Sequence, residues 1–90
     1  MRVALVCLDK PDFFQTRADN RAAHLAYIAA TGVVDMAGPF LNGDGQMNGS
    51  LIILVVETLA AAQLWAVSDP YSQAGLFQTV TISEWKKVIG

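Results

Sequence analysis

The stretch Leu51–Val56 reads LIILVV, six apolar residues in a row, most of them β-branched. That length and composition predict a strand. A strand with one face in water alternates apolar and polar residues. LIILVV does not alternate, so both of its faces call for cover. Val3–Leu8, VALVCL, has the same character and predicts a second doubly apolar strand. Neither run approaches the roughly 20 apolar residues of a membrane span.

The remaining elements are read outward from these two. Upstream of Leu51, Asn42–Gly49 reads NGDGQMNG and predicts a loop between antiparallel strands. Val33–Ala37, VVDMA, predicts the preceding strand, closed by Gly38-Pro39. Before it, Arg17–Thr31 predicts a helix with Thr16 or Asp19 as N-cap and Gly32 as the residue just past its end. Asp9-Lys10-Pro11 ends the first strand, and Pro11–Gln15 is a connection whose Phe13 and Phe14 pack down. Downstream, Thr58 is a plausible N-cap for a helix over Leu59–Ser68. Its core side should hold Leu59, Ala62 and Ala66, with Trp65 at the edge. Asp69-Pro70 starts a further turn, with Asp as cap and Pro at its first position. Gly75 stops it. In Leu76–Glu84, Val80 and Ile82 alternate with Thr79, Thr81 and Ser83 and predict the last strand. Trp85–Ile89 is a short extension.

The order is β-α-β-β-α-β, the split βαβ arrangement of an α+β, ferredoxin-like fold over residues 1–90 as one domain. It implies a four-stranded antiparallel sheet with two helices on one face, because right-handed crossovers place both on the same side. The other face then lacks a cover that LIILVV and VALVCL demand. A second copy of the chain, stacked sheet to sheet, supplies it. The expectation is a homodimer.

Composition agrees with hidden apolar surface. Hydrophobic residues are 53% and charged residues 16%, against a usual charged share of about 25%. Net charge is −2 with no basic run, which argues against a nucleic-acid surface. One cysteine, Cys7, and one histidine, His24, leave no metal-ligand set and no internal disulfide. No cofactor is implied. No secretion signal is read at the start, and a cytoplasmic location is expected.

The residues that could carry chemistry lie on the first helix. At 100° per residue, Arg17, Arg21 and His24 fall within an arc of about 60°. Leu25 and Ile28 lie beside them, and Ala23, Ala26 and Ala30 take the opposite side. Charged groups on an apolar flank need an answering acid, ligand or water.

Several short motifs recur along the chain: Arg17, Arg21, His24 and Leu25 in RxxxRxxHL; Ala37-Gly38-Pro39; Gly49-Ser50; Ala61-Ala62 with Trp65; Asp69-Pro70-Tyr71 with Ala74-Gly75; and Lys86-Lys87-Val88. In this order and spacing the sequence resembles the YciI-like proteins, small members of the dimeric α/β-barrel group. The resemblance implies the ferredoxin-like dimer argued above and a pocket with a histidine–aspartate active site, here His24 and Asp69. It also implies lyase- or dehydrochlorinase-type chemistry on small aromatic or lactone compounds. The chain departs from that pattern in its short, glycine-rich loop and in Asp35, where an aliphatic residue is usual.

Each candidate has a plain structural reading beside the functional one. His24 could be a core-edge histidine bonded to backbone, or a proton-transfer group. Asp69 caps a helix, and one of its oxygens could do so while the other faces His24. Arg17 and Arg21 are either a solvated pair or a clamp for an anionic ligand. Ser50 and Tyr71 either satisfy the loop and the packing or line the pocket. Asp35 is a sheet-end carboxylate or a second base. The reading is a small-molecule enzyme using His24 and Asp69, with Arg21, Arg17, Ser50 and Tyr71 binding the substrate. The alternative is a non-catalytic ligand-binding or accessory dimerisation domain.

Overall fold

The computed structural model describes residues 1–90. The elements run β1 (Arg2–Asp9), α1 (Phe14–Thr31), β2 (Val34–Leu41), β3 (Met47–Val55), α2 (Leu59–Ser68), α3 (Pro70–Gln73) and β4 (Phe77–Trp85). The strands form one antiparallel sheet in the order β2-β3-β1-β4. This is the expected βαββαβ fold, with α3 added as a single short turn. No helix is long and apolar enough to cross a membrane.

Register assigns the two faces. Val3, Leu5 and Cys7 of β1 stand opposite Leu54, Ile52 and Ser50 of β3. Opposed residues share a face, so these six lie on one side. Ala62, Trp65 and Ala66 of α2 close the core over it, with Tyr27 and Ile28 of α1 packed alongside. Ala4, Val6, Leu51, Ile53 and Val55 lie on the other side, which carries no helix.

Several boundaries differ from expectation for local reasons. α1 starts at Phe14, and its N-cap Phe13 makes no side-chain cap. Thr16 and Asp19 are therefore inside the helix, where Asp19 accepts from Gln15 Nε2 at 2.7 Å. Gly32 ends α1 in the left-handed region, as its position implied. β2 runs through Gly38-Pro39 to Leu41, because β2 is an edge strand, where the missing proline N–H costs no ladder bond. The hairpin loop is shorter than Asn42–Gly49. Asn42 Oδ1 accepts from the backbone N–H of Asp44 and Gln46 at 2.9 and 3.0 Å, and β3 begins at Met47. Gly49 falls inside β3, where an added Cβ would lie 2.6 Å from the Cys7 carbonyl oxygen.

α2 is capped by Thr58, whose hydroxyl accepts from Ala61 N–H at 3.1 Å. Its core stripe is rotated from expectation. Trp65 is buried rather than at the edge, and Leu59 is exposed. The indole explains the rotation, since a buried Trp N–H needs a partner. Trp65 Nε1 donates to Thr31 Oγ1 at 2.9 Å, and Tyr27 Oη donates to the Trp65 carbonyl at 2.8 Å. These bonds tie α2 to α1.

Candidate active site

α1 sends two charged or polar side chains deepest into the protein: its buried residues are Arg17 and His24. Each is answered by a carboxylate from another element.

Asp69 joins α2 to α3, as C-cap of the first and N-cap of the second. Its Oδ1 accepts from the Tyr71 backbone N–H at 3.0 Å and lies 2.8 Å from His24 Nδ1. The expected division, with one oxygen capping and the other facing His24, is corrected here: Oδ1 does both. Pro70 at the first helical position has no N–H to offer. The cap therefore falls on Tyr71, and the oxygen aimed at it also meets the imidazole. An ionised carboxylate only accepts, so the proton of this bond sits on Nδ1. In the neutral ring Nε2 then carries a lone pair. The His24 side chain makes no hydrogen bond but the one through Nδ1, and it lines a cavity between α1, α3 and strands β2 and β3.

Tyr71 is fully buried, and its ring stacks on the imidazole with centroids 4.0 Å apart and planes 17° apart. Phe77 meets the same ring edge-on at 5.9 Å. Burial pushes the Tyr71 phenol above its ordinary range, while the charges of Arg17 and Arg21 pull it back.

Arg17 is answered by Asp9, at the end of β1. Nε and Nη2 donate to the two Asp9 oxygens at 2.7 and 2.9 Å, and Nη2 also donates to Ser50 Oγ at 3.0 Å. The guanidinium carbon lies 4.6 Å from the Tyr71 ring centre. Burial works to lower the Arg17 pKa, but the hydrogen bonds and charge of Asp9 outweigh it and the net direction is up. Arg17 thus lines the cavity with its charge already matched. Arg21, one turn further on, enters no ion pair and lines the same cavity.

The cavity holds about 120 Å³. That is somewhat less than the roughly 150 Å³ of a closed apolar space that takes one benzene ring. Leu25, Ile28, Ala37, Pro39 and Ile52 give apolar walls; Arg17, Arg21, His24, Ser50 and Tyr71 give the polar ones. All the residues expected in the site except Asp69 line it directly, and Asp69 sits behind His24. Asp35 does not join them. It pairs with Arg2 at 3.1 Å, on the helix-free side of the sheet. Asp9 was missed by sequence reasoning. Its signal was an acid closing an apolar strand just before a helix arginine. No three His, Cys, Asp or Glu side chains come together as a ligand set.

The family model for the YCII-related domain matches residues 1–86. Protein YciI of Escherichia coli O6:H1 is 35% identical over 97 aligned positions, which cover 98% of this chain and 99% of that protein. The 5-chloro-2-hydroxyhydroquinone dehydrochlorinase of Burkholderia phenoliruptrix AC1100 was solved in complex with 2,5-dihydroxybenzoquinone. It is 33% identical, superimposes with a TM-score of 0.89, and the match covers 96% of this chain and 94% of that one. A structure of an antibiotic biosynthesis monooxygenase, 10% identical over 98% of both chains with a TM-score of 0.60, shares the fold alone.

Proposed function

The chain belongs to the YCII-related family, and from that premise we propose that it is a small-molecule enzyme in which His24 moves a proton on a small, anionic, single-ring compound. The observation that carries this reading is the buried Nδ1–Asp69 bond of 2.8 Å on a histidine that lines the cavity and has no other partner. Asp69 is the orienting group: it holds the tautomer and leaves Nε2 as the base.

Nε2 takes a proton from an acidic hydroxyl of the bound ring. The ring takes that proton back from Nε2 at the carbon bearing the leaving group; a second ring hydroxyl then gives up its proton, the group departs as X⁻, and the ring is left as a quinone with a C–H bond where the C–X bond was. The sum is loss of HX, with no oxidant or reductant. The dehydrochlorinase relative, named for a chlorinated hydroxyhydroquinone, supports this class. Arg21 is the counter-charge for the developing oxyanion, because Arg17 is already neutralised by Asp9. Ser50 and Tyr71 shape the pocket and fix the ring. The unit we propose is a homodimer, its helix-free sheet faces stacked on each other.

The test is a thermal-shift panel of 2,5-dihydroxybenzoquinone, simple phenolates and small carboxylates, followed by chloride release from chlorinated hydroxyhydroquinones. A ligand at 100 times its Kd stabilises the fold by about 2.7 kcal/mol. The shift should appear with ring phenolates and be lost in Arg21→Ala. Binding without turnover of any member would favour a non-catalytic ligand-binding domain instead.

A further inference from the structure

We propose that the Asp9–Arg17 pair is a positioning device for His24, exerted through the ring of Tyr71. Arg17 and Asp9 are nearly inaccessible, with 6% and 5% of their side chains exposed. A buried pair of this kind is costly to desolvate and is a weak source of stability. Its geometry is that of a locating pin. Two parallel bonds to Asp9 and a third to Ser50 fix the plane of the guanidinium against β1 and β3. That group packs on the Tyr71 ring, and the imidazole of His24 stacks on the same ring.

His24 is therefore held twice. Asp69 fixes Nδ1, a single point about which the imidazole can still tilt. Tyr71 fixes its plane. Tyr71 in turn is held by its own N–H on Asp69, by the edge of Phe77 and by Arg17. Of these three, Arg17 alone sets a flat cationic group over the ring. Without it, the ring and the imidazole gain freedom together, and Nε2 loses its fixed direction into the cavity. The benefit to proton transfer rests on the acid–base reading above; the positioning itself does not.

The chain has one histidine, so its ring protons report without ambiguity. Stacked on the face of Tyr71, His24 Hε1 and Hδ2 should resonate upfield of their positions in the urea-unfolded chain. Arg17→Lys keeps the charge and can still pair with Asp9, but it lacks the fork and the flat face. It should lose most of that upfield displacement while remaining folded, and Asp9→Asn should do the same. Arg2→Lys, on the other face of the sheet, should leave it unchanged. If Asp9→Asn does not fold, Arg17→Lys decides alone. A folded Arg17→Lys or Asp9→Asn with the full wild-type displacement would overturn the proposal. The readout needs no substrate, so this failure and a failure of His24 as a base are told apart.

Discussion

On the helix-covered face of the sheet, Val3, Leu5, Cys7, Ile52 and Leu54 are at most 2% exposed; on the other face Leu8, Met36, Leu51, Val55 and Trp85 keep 38–48%, and Ile53 alone is closed in, at 3%. Both faces come from the same apolar strands, and each carries one arginine–aspartate pair. On the covered face Arg17–Asp9 is bidentate, buried and linked to Tyr71. On the bare face Arg2–Asp35 is a single contact of 3.1 Å between side chains 37% and 28% exposed. The same residue types thus do different work according to what covers them. The covered face is organised to hold His24. The bare face has the composition of an interior and no lid from its own chain.

The largest effect that separates the two faces is expected at Asp9. Asp9→Ala strands the buried Arg17 guanidinium and should lower the unfolding free energy by about 3–5 kcal/mol. Urea unfolding measures it. A loss near zero would mean that water reaches the Arg17 guanidinium and that the covered face is open there.

Cys7 tests the same face by pH. Burial, with the charge of Asp69 adding to it, pushes the thiol up from 9.0 to about 12. Its folded form keeps the proton after the unfolded chain has lost it. Stability is therefore intact below pH 9 and falls as pH rises from about 9 towards 12. Cys7→Ala should flatten that alkaline limb, read as the slope of stability against pH. An unchanged slope would place the thiol in contact with solvent.

The bare face should respond in assembly. Leu51→Glu puts a charge where the stacked sheets would meet and forfeits the roughly 1.5–3 kcal/mol of a buried leucine. Light scattering should then give the chain mass of 9.7 kDa in place of twice that value. A wild type that is already monomeric would remove the stacked-sheet dimer. The smallest effect is expected at Asp35. Asp35→Asn breaks an exposed pair and should change stability by less than about 1 kcal/mol.

The sheet was readable because VALVCL and LIILVV lack polar alternation, and the helices because Gly32, Thr58 and Asp69-Pro70 mark ends that backbone chemistry enforces. His24, Arg17 and Arg21 could be grouped from helical spacing alone. The rest depends on packing between distant elements. Phe13 at the start of α1 carries no capping side chain, so the true boundary has no local mark. Trp65 turned inward because of Thr31 and Tyr27, residues on another helix. Asp9 met Arg17 only once the connection after β1 had folded back, and the use of Asp69 Oδ1 for two bonds depends on the angle between α2 and α3.

The proposed acid–base role of His24, held by Asp69 on the covered face, is decided by the steady-state rate of His24→Ala against wild type on the ring substrate, at matched fold and oligomeric state. A positioned acid–base group contributes about 10²–10⁴-fold, so the variant should lose activity on that scale with KM little changed. A folded His24→Ala that turns over at the wild-type rate would show that His24 is not the proton-transfer group.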